Sequence, residues 1–207
     1  MTRADTILTL ANRRGINLLG PKPEDIDFHV IAEHLAKENR YNGATPDVCY
    51  SVAEHSVRGA TAILGETGDR ELAAYFLLHD GHEAFMKDDT TPKKRAIAAI
   101  ANENFGVLAG DIMQAFDILT DRFDAAIHAR AGLAWPPTAE RKAGIKYWDL
   151  RMFVTEWRDL MGNQPHPDWS KYQGIPPLDE VITPWPWEKA RGAFLALAGN
   201  LFGEARI

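Results

Sequence analysis

Apolar positions along the chain recur mainly at helical spacing, and they are interrupted by turn-forming residues rather than by long polar tracts. Residues 6–19 are the exception: two short apolar runs flank residues 12–15, the pattern of a small β-hairpin. Gly20-Pro21-Lys22-Pro23 then breaks the chain, and residues 27–38 read as a helix with Ile31 and Leu35 on one side. Ser51 followed by Glu54 forms a capping box that starts a helix reaching about residue 65. Further helices are predicted over residues 69–85, 93–105 and 110–131, the last with a break near Thr120. Thr138 caps a long helix to about residue 161, and residues 187–202 form the last one. Between these two, residues 163–187 carry six prolines with Trp169, Trp185 and Trp187, which suggests an ordered loop because its indoles need somewhere to pack. Those three tryptophans are candidates to cover a pocket mouth or a subunit interface, whereas Trp135, Trp148 and Trp157 read as packing residues. The fold class is therefore all-α: one domain over residues 1–207, a helical bundle with a short N-terminal β-hairpin.

Three of the predicted helices bury residues that do not belong on an apolar face. On the helix from residue 69, Leu72 and Phe76 are followed on the same side by His79, Asp80 and Glu83. His55 lies on the inward side of the helix that Ser51 caps, one turn before Gly59, whose missing side chain would let another helix approach closely. Asp149 shares a stripe with Ile145, Met152, Phe153, Glu156 and Leu160. Ionisable groups on buried faces are costly unless something compensates them. One inward histidine is commonly a hydrogen-bonded core residue, and Asp149 alone could pair with Lys146 or Arg151. Three such anomalies on separate helices are better explained by one divalent ion. Two imidazoles and two carboxylates would suit Mn²⁺, Co²⁺, Fe²⁺, Zn²⁺ or Mg²⁺.

Composition narrows the picture without changing it. Of 207 residues, 45% are hydrophobic and 25% charged, ordinary for a globular protein. The net charge of −6 argues against a broad surface for nucleic-acid polymers, though not against a local cationic pocket. With Cys49 as the only cysteine, there is neither an intrachain disulfide nor a thiolate metal cluster. The N-terminal stretch is a poor signal peptide and no apolar run is long enough to span a membrane, so a cytoplasmic location is expected.

His55, the His79-Asp80 pair and Asp149, in this order on separate helices, resemble the metal-ligand pattern of the HD superfamily of metal-dependent phosphohydrolases. The stretches RYNG (40–43), SVAEHS (51–56), LLHDGHEAF (77–85), DDTTPKK (88–94) and IKYWD (145–149) are similar to bacterial 5′-deoxynucleotidase-like members, over roughly residues 27–160. The resemblance implies an HD-type bundle in which His55, His79, Asp80 and Asp149 hold the metal. It also implies that Glu83 assists proton transfer and that Asp88 stands beside the reacting phosphate. Arg40 would grip phosphate or sugar, and Tyr41 stands where those enzymes carry a tryptophan against the sugar. His82 would contribute a contact near the phosphate, and Lys93 or Lys94 could add charge there, although both lysines read more simply as the start of a solvated helix. The implied activity is hydrolysis of the phosphate ester of a small nucleotide, with a homodimer as a further expectation. A nucleoside triphosphohydrolase, a cyclic-nucleotide phosphodiesterase and a non-catalytic nucleotide sensor are the alternatives.

Overall fold

A computed structural model describes residues 6–87, 89–162 and 169–207. Asp88, the first five residues of the N-terminal stretch, and residues 163–168 of the Pro/Trp-rich loop lie outside the described residues. The described chain is a helical bundle with one small hairpin. Strands β1 (Ile7–Thr9) and β2 (Gly15–Asn17) pair antiparallel, with Leu8 opposite Ile16. They are followed by α1 (Phe28–Lys37), α2 (Val52–Thr67), α3 (Arg70–Leu78), the single-turn α4 (Glu83–Met86), α5 (Thr91–Phe105), α6 (Ala109–Ala131), α7 (Ala139–Leu160) and α8 (Trp187–Phe202). None of the described helices is long and apolar enough to cross a membrane.

Local chemistry sets most boundaries. The Ser51 hydroxyl accepts from the Glu54 N–H (3.2 Å), Asp69 accepts from the Leu72 N–H (2.9 Å), and Thr138 accepts from the Arg141 N–H (3.2 Å). Each cap satisfies a backbone donor that the first helical turn leaves without a partner. Gly68, Gly106 and Gly132 close α2, α5 and α6 in left-handed conformations. Helix α6 runs unbroken through Thr120, so the expected interruption there is absent: its i→i+4 ladder needs only that no residue in the segment opposes helix, and threonine does so weakly.

The core is a sandwich of α1, α2, α3 and α8, with α7 laid across α2 and α3. Ile31, Leu35, Ile63, Phe76 and Phe194 are fully enclosed, each side chain contributing about 1.5–3 kcal/mol through removal from water. Phe76 of α3 sits directly over Gly59 of α2, where a methyl group would overlap its ring. That contact brings α3, and the residues that follow it, against the face of α2 bearing His55.

The predicted helix over 69–85 is two helices, because α3 stops at Leu78. Beyond it the chain tightens: the Gly81 N–H donates to the Leu78 carbonyl (2.9 Å) and the Glu83 N–H to the Asp80 carbonyl (3.0 Å). These are i→i+3 bonds of the 3₁₀ type, which wind more tightly than an α-helix. Gly81 permits the turn to pass Ile127 of α6, since a Cβ there would stand 3.0 Å from the Leu78 carbonyl and 3.3 Å from Ile127 Cδ1. His79 and Asp80 thus occupy a turn between helices, and Glu83 begins a new one.

Candidate metal centre

Helix α2 supplies His55, the α3–α4 turn supplies His79 and Asp80, and α7 supplies Asp149. These side chains meet although 94 positions of sequence separate the first from the last. The His55 and His79 Nε2 atoms are 3.3 Å apart, and Asp80 Oδ2 stands 3.9 Å from the first and 3.2 Å from the second. Asp149 Oδ1 faces both rings, at 3.8 and 4.0 Å. His55, His79 and Asp80 form a cluster whose ligand atoms all lie within 4.8 Å of one another. Atoms about 2.1 Å from a shared ion stand about 3.0 Å apart in adjacent octahedral positions and about 3.4 Å apart in a tetrahedron. The 3.2 and 3.3 Å separations are of this size, whereas those of 3.8–4.0 Å, including both to Asp149, are wider.

The proton positions make the fit sharper. His55 Nδ1 lies 2.5 Å from Glu156 Oε1, and His79 Nδ1 lies 2.6 Å from the Phe76 carbonyl oxygen. Although burial opposes its charge, the Arg40 guanidinium and His55 hold the Glu156 carboxyl at about 2, so it is an ionised acceptor. Both Nδ1 atoms must therefore donate, which in the neutral ring leaves the lone pair on Nε2. With both rings neutral these lone pairs would repel across 3.3 Å, and either a proton or a metal cation between them relieves the contact. Burial also lowers the pKa of His79 and so favours its ligating, neutral form. Asp80 and Asp149 are both shifted downward: burial works the other way, but positive charge on His79 and His55 when they are protonated, and on Arg40, outweighs it. The donor set is thus ready for a divalent ion.

A layer of charge holds these ligands in place. Glu156 is fully buried, and its second oxygen accepts from the Tyr41 hydroxyl (2.6 Å) and from Arg40 Nε (3.1 Å). Arg40 also reaches Asp80 Oδ2 at 3.3 Å, linking that carboxylate to Glu156. Tyr41 and Asn42 adopt left-handed backbone conformations, with φ of 58° and 51°. Such conformations cost roughly 1–2 kcal/mol each for residues with a side chain. Bonds from two successive side chains to one buried carboxylate offset that cost and fix the turn.

The remaining candidates make contacts of their own. His82 turns toward α6, where its Nδ1 is 3.0 Å from Asp124 Oδ1; burial opposes its protonation, but that carboxylate raises its pKa. Glu83 opens α4 with a half-buried side chain. Lys93 pairs with Asp89, in keeping with a solvated helix start. Trp185 lies under Arg58 and Lys189, and Trp187 under Lys37, so these two indoles pack on the α1, α2 and α8 side of the bundle. Glu156 escaped attention as a functional residue. Its signal was present: a carboxylate seven positions after Asp149 falls on the same face of α7.

No protein-family model matches the chain. An uncharacterized protein of Rhodobacter capsulatus is 38% identical over 160 residues, covering 74% of this chain and 71% of that protein. The chain belongs to the family of that protein.

Proposed function

We propose that this protein is a metal-dependent phosphohydrolase that cleaves the phosphate ester of a small nucleotide, using a divalent ion held by His55, His79, Asp80 and Asp149. The observation that carries this reading is the cluster of His55, His79 and Asp80, with Asp149 Oδ1 3.8 and 4.0 Å from the two Nε2 atoms. A divalent ion held there supplies Lewis acidity, neutralising phosphoryl charge and acidifying water. His55 and Glu156 are fully buried whereas the Asp149 side chain is 26% exposed, so the open side of the centre is the side on which α7 carries Asp149.

The chain's own groups then divide the work. Arg40 keeps Asp80 ionised and oriented, and its forked donors suit phosphate oxygens that approach the same carboxylate. Glu83, four residues beyond His79, is assigned the passing of a proton to the leaving alkoxide. Asp88 is assigned the neighbouring acidic role by resemblance alone. His82, whose pKa the Asp124 carboxylate raises against burial, is assigned a phosphate contact by resemblance alone.

The test is a panel of nucleoside 5′-monophosphates, 5′-triphosphates and cyclic monophosphates, incubated with protein loaded with Mn²⁺, Co²⁺ or Mg²⁺. Orthophosphate and a nucleoside from the monophosphates are the expected products. Tripolyphosphate from the triphosphates, or a monophosphate from the cyclic esters, would move the activity to another substrate class. Turnover that survives intact in Asp80→Ala would remove the metal mechanism.

A further inference from the structure

A cavity of about 300 Å³ opens beside the metal centre, sharing His79 and Asp149 with it. It belongs to neither the Arg40–Tyr41 turn nor the α4–α5 connection, where the substrate contacts expected from the sequence lie. One wall is aromatic. Tyr75 and His128 stack with ring centroids 5.5 Å apart, and Trp135 continues the series 4.5 Å beyond His128. Each ring is pinned: the Tyr75 hydroxyl donates to the Ala134 carbonyl (2.8 Å), Trp135 Nε1 to Asp121 (2.8 Å), and His128 Nδ1 lies 2.7 Å from the Asp124 carbonyl.

The facing wall is α7. Ile145 gives it an apolar patch, and Lys142 and Lys146 line it two turns and one turn before Asp149 respectively. Apolar and aromatic surface bordered by two lysines, of which Lys146 also pairs with Asp149 at 3.0 Å, suits a flat ring attached to an anion. The volume stands at the lower end of small-molecule sites, which run from about 300 Å³ upward. That is room for a base and little else.

We infer that this cavity is the slot for the planar aromatic ring of the substrate, a nucleobase or comparable aryl group, with Lys142 and Lys146 facing its anionic part. The inference rests on the phosphohydrolase reading and adds to it the residues that select the ring: Tyr75, His128 and Trp135 would favour esters carrying an aromatic ring over ring-free sugar phosphates. Stacking contributes about 1–3 kcal/mol per base, or roughly five- to a hundredfold in affinity.

Calorimetric titration of chelator-treated protein with adenosine 5′-monophosphate, adenosine and ribose 5-phosphate tests the slot without turnover. Both adenine compounds should bind, with ribose 5-phosphate at least about tenfold weaker, and Trp135→Ala should abolish most of that preference. Should that variant not fold, Lys142→Glu alters an exposed lysine and should weaken the nucleotide several-fold more than adenosine. Equal affinity for the nucleotide and ribose 5-phosphate would overturn the slot, as would a folded Trp135→Ala with unchanged preference. Equal hydrolysis of the two esters by metal-loaded protein would sink the slot while leaving the hydrolase standing. Ring-dependent, Trp135-dependent binding with no phosphate ester hydrolysed would support the slot and remove the hydrolase.

Discussion

Glu156 Oε1 lies 2.5 Å from His55 Nδ1, a fully buried ion-pairing carboxylate behind a fully buried imidazole. The pair fixes both the tautomer and the rotation of His55, so that Nε2 points at His79 and Asp80. Because Glu156 also accepts from Arg40 and Tyr41, one side chain organises three others. Groups that orient a ligand in this way commonly change metal affinity by about 10–100-fold when removed.

Glu156→Gln should therefore weaken Mn²⁺ or Co²⁺ binding by about 10–100-fold, although it touches no ion. Thermal stability should fall as well, since Arg40 keeps only Asp80 as a counter-charge. Metal titration of the folded variant separates the effects. Wild-type affinity in a protein that melts early would leave Glu156 a structural role only.

The facing Nε2 atoms make a second expectation. Removing the ion restores their repulsion, so metal should stabilise the fold as well as the chemistry. At a free concentration one hundred times its dissociation constant, a bound ion adds about 2.7 kcal/mol, or roughly 5–10 °C in a domain of this size. Differential scanning calorimetry with chelator and with Mn²⁺ measures it. His79→Ala should show no metal-dependent shift; an equal shift in that variant would place the ion elsewhere.

The close passage of Phe76 over Gly59 fixes how α3 lies on α2. Gly59→Ala, ordinarily favourable inside a helix, should instead cost about 1–3 kcal/mol because the ring has no free space to move into. A melting temperature lower by roughly 5 °C is expected. Stabilisation would mean that the interhelical contact is looser than the structure describes.

How much of this was legible in the sequence depended on whether the signal was local. Ser51, Asp69 and Thr138 act within three residues of themselves, and their caps are where the pattern placed them. His55, His79, Asp80 and Asp149 betrayed themselves as ionisable groups on apolar stripes, a one-dimensional signal of a three-dimensional meeting. The turn at residues 79–82 was hidden because His-Asp-Gly-His neither breaks helical spacing nor contains proline; it forms where α6 presents Ile127 to Gly81. Trp135 read as an ordinary packing residue, and nothing in the pattern singled out His128. Their cavity exists only because the end of α6 and the start of α7 meet beside α3.

Asp69 gives a pH-dependent expectation remote from the metal centre. Its carboxylate accepts from the Leu72 N–H at the start of α3 and pairs with Arg141 of α7. The backbone bond to Leu72 is the larger cause of its lowered pKa; burial opposes it and Arg141 adds to it. A lowered pKa means the native state favours the ionised form, so the contribution is complete above the unfolded carboxylate value of about 3.9 and disappears as pH falls through the folded value. Asp69→Ala should cost about 1 kcal/mol at pH 7, the usual cost of losing a cap. In urea titrations the gap between wild type and variant should narrow below about pH 4. A gap that stays constant down to pH 2 would show that the carboxylate's charge plays no part and that the variant loses only packing.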